Sequence, residues 1–250
     1  MRYFVEFSYF GTAYHGWQSQ PNAATVQQLM EEVFSTLLRK EVSLVAAGRT
    51  DAGVHARQMF AHFDIEEPLE IESTVTKLNA FLPGDIAIVQ LFEVAPDAHA
   101  RFSAEARTYE YWVVQQKNPF FKDTAYYIRQ RLDVEAMNKA AEVLLQYDDF
   151  ECFSKSKTDV KTFKCHIEKA IWTKDNERLI FTISANRFLR NMVRAIVGTL
   201  VEVGQGKIEV KDVKTIIKSK DRSKAGPSVP AKGLYLTQVT YPRQILKMNG

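Results

Sequence analysis

Periodicity constrains this chain more than any other feature. Segments whose apolar residues alternate, and segments whose apolar residues recur every three to four positions, follow one another in the order β-α-β-β-α-β, and then do so again. In the first run, Arg2 to Tyr9 puts Tyr3, Val5 and Phe7 on one face of a strand. Thr25 is placed to cap a helix whose apolar face is Val26, Leu29, Met30, Val33 and Leu37. Val42 to Ala47 and Gln58 to Ile65 predict two strands. Ser73 to Phe81 predicts a helix ended by Leu82-Pro83-Gly84, and Ile86 to Val94 a strand. The second run reads Thr108 to Gln115, Asp133 to Tyr147, Phe163 to Thr173, Arg178 to Ser184, Phe188 to Val203 (ended by Gly204) and Leu234 to Thr240, with an added helix at Ile208 to Lys218.

Two such runs predict an α+β protein of two ferredoxin-like halves, 1–100 and 101–250, sharing one largely antiparallel sheet. Helices are expected on one face, leaving an open face or cleft as a platform for RNA. No Pro- or Ser-rich linker separates the halves, so tight docking is expected.

The formal net charge of +3 says little by itself, but its distribution is uneven. Residues 1–100 carry 6 Lys and Arg against 13 Asp and Glu; residues 155–250 carry 20 against 8. A solvated basic face would account for this, and so would a nucleic-acid partner. The 2 cysteines, Cys152 and Cys165, form no disulfide framework or C-x-x-C, and Cys165-His166 has no neighbouring ligands for a metal. Buried or idle thiols in a reducing cytoplasm are expected. The N-terminus reads as a strand and not as a signal peptide, and no apolar run has membrane-spanning length.

Chemistry concentrates between the second and third predicted strands, in Ala47-Gly48-Arg49-Thr50-Asp51-Ala52-Gly53-Val54-His55-Ala56. A plain turn would need no arginine, aspartate and histidine together. Gly48 and Gly53 allow unusual backbone conformations. Asp51, two residues from Arg49, can be presented as an ionised nucleophile; alone, it would more often hydrogen-bond its own turn.

The whole string resembles the catalytic signature of the TruA-type tRNA pseudouridine synthases, where the aspartate of G-R-T-D-A-G carries the reaction; here that is Asp51. Four further stretches resemble the same family, in order. The loop Gly11-Thr12-Ala13-Tyr14-His15-Gly16-Trp17-Gln18-Ser19-Gln20 lies near RNA in that family; an ordinary connection with its aromatics in the core is the plain alternative. His99-Ala100-Arg101-Phe102-Ser103-Ala104 leads to Arg107-Thr108-Tyr109-Glu110-Tyr111, in which Tyr109 matches the active-site tyrosine, while Tyr111 is expected in the core. Phe188-Leu189-Arg190-Asn191-Met192-Val193-Arg194 resembles F-x-x-x-M-V-R, whose last arginine pairs with the catalytic aspartate, which points to Arg194. Arg187, Arg190 and Arg194 are expected together at the start of a helix, where guanidinium groups suit phosphate or carboxylate contact. Lys220 to Pro227, with Arg222 and Lys224, reads as a basic loop for phosphates, followed by a G-L-Y-L run like the family's. Ala195 and Cys165 depart from residues usual in the family, arginine in the case of Cys165.

The resemblance implies a homodimer that converts uridine to pseudouridine at positions 38, 39 and 40 of the tRNA anticodon stem-loop, with no cofactor or metal. Catalysis would rest on Asp51, Arg49, Tyr109 and Arg194, and substrate binding on Tyr109, Arg190, Arg222 and Lys224. Whether Asp51 adds to the sugar or assists loss of the C2′ proton stays open. The competing readings are a non-catalytic tandem RNA-binding module, and a synthase of this family with another RNA target.

Overall fold

A computed structural model describes residues 1–155 and 160–246. The protein is mixed α+β and divides into two compact units, Met1–Arg107 with Tyr235–Gly250, and Thr108–Leu234. The first unit contains β1 (Arg2–Tyr9), α1 (Val26–Leu38), β2 (Val45–Ala46), β3 (His55–Asp64), α2 (Ile71–Phe81) and β4 (Ile86–Val94). The second contains most of β5 (Ala106–Val114), then β6 (Tyr126–Tyr127), α3 (Val134–Leu144), β7 (Ile167–Asp175), β8 (Arg178–Ala185), α4 (Met192–Gly204) and α5 (Val210–Ser219). The chain then returns to the first unit through β9 (Leu234–Thr240) and α6 (Arg243–Leu246).

In the first unit β1 lies between β4 and β3 and pairs antiparallel with both. β2 pairs antiparallel with the far end of β3, at Val45↔His62 and Ala46↔Ala61. The predicted strand Val42 to Ala47 is therefore much shorter than expected. Its early end leaves an edge of β3 open at His55 and Ala56, and β9 occupies that edge in parallel, His55↔Tyr235 and Ala56↔Leu236. β9 thus pairs with a strand of the first unit, and the chain divides at 107/108 and 234/235.

Thr25 caps α1 as expected, its side chain accepting from the Gln28 N–H. The face α1 buries is Val26, Met30 and Phe34, while Leu29, Val33 and Leu37 are only half-buried. Phe34 meets Phe63 edge to face, and Phe63 stacks on Tyr3. One end of the opposite face of this sheet is covered, while Glu6, Ser8 and Gln58 farther along it are half-buried and Gln90 is exposed. Phe4, Phe60, Phe92 and Tyr241 pack together at the covered end, and the Tyr241 hydroxyl donates to the Ala100 carbonyl at 2.5 Å. Aromatic residues on both strand faces need two covers, and the segment around Ala100 supplies the second.

In the second unit β8 lies between β5 and β7. β7 and β8 form a hairpin closed at Asp175↔Arg178, with Asn176 at φ +52° in the turn. Asp133 caps α3 through the Ala136 N–H. α4 is buried on nearly every side, as its apolar sequence requires. It begins at Met192 and not at the predicted Phe188, because Asn191 takes the left-handed conformation, φ +66°.

Candidate active site

The loop from Ala47 to Val54 is built against two neighbouring segments of the first unit. At its start the Ala47 N–H donates to Phe60 O at 2.8 Å, and the Ala47 carbonyl accepts from the Arg107 guanidinium at 2.8 Å. Arg107 also donates to the carbonyls of Ala104 and Arg101. One planar cation therefore ties the start of the loop to the 101–107 segment through three carbonyls, a geometry that suits arginine and not lysine.

The middle of the loop rests on the segment from Gly11 to Trp17. The Trp17 N–H donates to Thr50 O at 3.3 Å, the Gly53 N–H donates to Tyr14 O at 3.2 Å, and the Val54 N–H closes the turn onto Asp51 O at 3.2 Å. Gly16 sits at φ +92° against Thr50 and Asp51, and Gly11 against Val54, too close for any side chain. Of the two loop glycines, Gly53 has positive φ, +76°, whereas a side chain at Gly48 would meet open space. Below the loop, the Tyr9 hydroxyl and Thr50 Oγ1 share a buried hydrogen bond of 2.8 Å. His55 is stacked between Phe10 and Tyr235, with centroids at 4.3 and 4.6 Å, and its Nδ1 accepts from the Gly11 N–H. On this support Asp51 is half-buried and Arg49 exposed. A carboxylate on a backbone fixed at so many points can be presented in one orientation.

The segment Gly11 to Gln20 therefore has a structural task, and Tyr14 and Trp17 are in the core. The Tyr14 hydroxyl donates to Asp85, and burial together with that bond raises its pKa. Phe10, immediately before this stretch, stays exposed.

In the second unit Tyr109 lies half-buried on β5, its ring edge to face with Phe188 at 5.2 Å and 89°. Tyr111 is fully buried, donates to Pro230 O at 2.8 Å, and has its pKa raised by that burial. Its reading as a core residue holds. Arg194 lies in the first turn of α4 and donates from Nε to Val229 O at 2.7 Å, which fixes the plane of its guanidinium. The Val229 N–H returns a bond to Arg194 O. Arg187 and Arg190 precede the helix, so the expected three-arginine helical row does not form: the left-handed Asn191 interrupts it. Arg190 is exposed.

The structure brings Arg194 and Arg222 to one segment, residues 225–229. Arg222 donates to the carbonyls of Ala225 and Gly226 and to Ser228 Oγ, which also accepts from Asn191 at 2.6 Å. Gly226 donates to Thr199 Oγ1, and Gly198 abuts Pro227. Lys220 is paired with Asp149 and Arg222 folds back on its own loop, whereas Lys224 is exposed. Sequence patterns did not single out Tyr9, Arg107, Phe188 or Asn191, although Arg107, Phe188 and Asn191 stood inside recognised stretches.

Cys152 and Cys165 are buried, which pushes their thiols up to about 12 and about 11. Among the described residues no group of three or more His, Cys, Asp or Glu could hold a metal ion, and no helix is long and apolar enough to cross a membrane.

A family model described as tRNA pseudouridine synthase matches residues 7–103 and 140–242. The matched residues include the Asp51 loop, Arg194 and the 222–229 segment; Tyr109 falls in the stretch between them. The chain is 53% identical to the tRNA pseudouridine synthase A of Parabacteroides distasonis over 99% of both chains. It is 52% identical to that of Bacteroides thetaiotaomicron, over 98% of this chain and 92% of the relative. It is 50% identical to that of Porphyromonas gingivalis, over 98% of each.

Proposed function

The chain belongs to the tRNA pseudouridine synthase family, and from that premise we propose that it isomerises uridines 38, 39 and 40 in the anticodon stem-loop of tRNA, with Asp51 as the catalytic residue. As an isomerase of this family it breaks the N1–C1′ bond of a uridine, turns the uracil, and joins C5 to C1′, with the C5 proton lost and a proton gained at N1. One bond and one proton move and no electrons are exchanged, so the overall change requires no redox partner.

The observation that carries the assignment is the Asp51 loop itself. Its backbone is held by Trp17, Tyr14, Arg107 and the Tyr9–Thr50 pair, while Asp51 stays half-exposed. A turn serving only to join two strands would not require so many supports. In this reading the Asp51 carboxylate either adds to the sugar or assists loss of the C2′ proton. Arg194 supplies its counter-charge, which favours the ionised form. Tyr109 stacks on the extruded base and takes the C5 proton, and Arg49 fills the place the base vacates. Arg190 and Lys224, both exposed, contact phosphates, and Arg222 shapes the loop that carries Lys224. The same reading has the protein act as a cytoplasmic homodimer.

The deciding experiment is tritium release from tRNA containing 5-tritiated uridine by wild type and Asp51→Asn under single turnover. Normal folding, retained tRNA binding and no detectable release by Asp51→Asn are expected. Substantial release by that variant would sink the assignment. Mapping of pseudouridine in cellular tRNA with and without the protein tests the three positions.

A further inference from the structure

We propose that the buried Tyr9–Thr50 hydrogen bond is a positioning device for the reaction, setting where the Asp51 carboxylate stands when the glycosidic bond breaks. The inference rests on the reading of Asp51 as the catalytic residue.

Tyr9 is the last residue of β1 and is 4% exposed; Thr50 is 9% exposed. The ring of Tyr9 stacks on Phe7 at 6.1 Å, and Phe7 packs on Trp17 at 5.2 Å. The pairing of β1 with β3 slips between Phe7 and Tyr9: Phe7 faces Met59 but Tyr9 faces Ala56, so β3 carries one additional residue there. This bulge adjusts the end of β1 beneath the loop, and the phenol meets Thr50 Oγ1 at 2.8 Å. The Trp17 N–H holds the carbonyl of the same Thr50 at 3.3 Å. Thr50 is thus held at both side chain and main chain by a stacked aromatic assembly, and Asp51 is the next residue.

A tyrosine hydroxyl and a threonine hydroxyl out of water each require a partner. Removing the Tyr9 hydroxyl takes this partner from the buried Thr50 hydroxyl, and Thr50 then rotates or shifts to recover a bond. A displacement of about 1 Å at a reacting group can cost on the order of 100-fold in rate with little effect on substrate affinity. Arg49, on the other side of Thr50, is exposed, so the same pair separates an exposed cation from the half-buried acid.

The test compares wild type, Tyr9→Phe, Thr50→Val, Thr50→Ser, the Tyr9→Phe/Thr50→Val pair and Asp51→Asn. Single-turnover tritium release, tRNA affinity and thermal unfolding are measured on each full-length chain. Tyr9→Phe and Thr50→Val are both near-isosteric and remove one hydroxyl. Each is expected to slow release on the order of 10- to 100-fold while tRNA affinity stays within about twofold, and the pair should be no slower than the slower single variant. Thr50→Ser keeps the hydroxyl and should stay within about threefold of wild type. If Thr50→Val fails to fold, Tyr9→Phe carries the test alone. Wild-type rates in Tyr9→Phe, or a loss that follows tRNA affinity and not the chemical step, overturn the inference. Activity in Asp51→Asn instead overturns the reading beneath it, and the two failures are told apart by which variant stays active.

Discussion

A β-carbon on Gly16 would stand 2.3 Å from the carbonyl oxygen of Thr50. The two backbones touch behind the Asp51 loop, and Gly16 reaches this position at φ +92°, where other residues are strained. Gly16→Ala therefore meets a steric clash and an unfavourable backbone conformation at once. We predict a stability loss of about 2 kcal/mol or more, read from denaturant unfolding. The folded fraction should isomerise tRNA more slowly than wild type. Unchanged stability would mean that the two segments can move apart.

Arg222 and Lys224, two residues apart, are predicted to behave differently. Arg222 donates to Ala225 O, Gly226 O and Ser228 Oγ, so Arg222→Ala should cost about 1–3 kcal/mol of stability. Lys224 is exposed, so Lys224→Ala should leave stability alone. Its removal should lower by about one the slope of log affinity for tRNA against log salt. An unchanged slope for Lys224→Ala would put that side chain off the RNA path.

Tyr109 is tested with its neighbour. Tyr109→Phe keeps the edge-to-face contact with Phe188 and removes the hydroxyl. Turnover should drop at least about tenfold if that hydroxyl moves a proton, with tRNA affinity preserved. Phe188→Ala keeps the hydroxyl but removes the ring that orients it, and should also lower the single-turnover rate. Normal turnover in Tyr109→Phe would restrict Tyr109 to stacking.

His62 makes the stability of the first unit depend on pH. Burial, and then the charge of Arg2 and the ring of His99, lower its pKa to about 4 from an ordinary 6.5. The unfolded chain takes up a proton below about 6.5 that the folded one does not accept until about 4. Stability is therefore full above that window and falls as pH drops through it. His99, lowered chiefly by burial, acts in the same direction. Thermal unfolding between pH 7.5 and 4 should show the decline, and His62→Asn should flatten it. An equally steep decline in the variant would assign the effect to other groups.

Much of the architecture follows from local pattern. β1, β4 and β9 have the ranges that alternation predicts, Thr25 caps α1, and Tyr111 is a core residue, as its neighbours implied. These features depend on interactions a few residues long, so a short window of sequence contains their cause. The family also is legible in the sequence, because its motifs are short and contiguous.

Contacts between distant segments were decided by the tertiary structure alone. No local signal shows that β2 stops after two residues and leaves the His55–Ala56 edge to β9, since that choice is made between strands nearly 190 residues apart. Asn191 reads as an ordinary helix residue, yet it takes φ +66° while its side chain bonds Ser228, and the arginine row ends there. Arg222 reads as a phosphate ligand in sequence, and only the folded chain shows that it also bonds three acceptors of its own loop. Composition and period determine which segments become strands and helices. Which hydroxyl meets Thr50, and which carbonyls an arginine gathers, depends on where the folded chain brings them within hydrogen-bond distance.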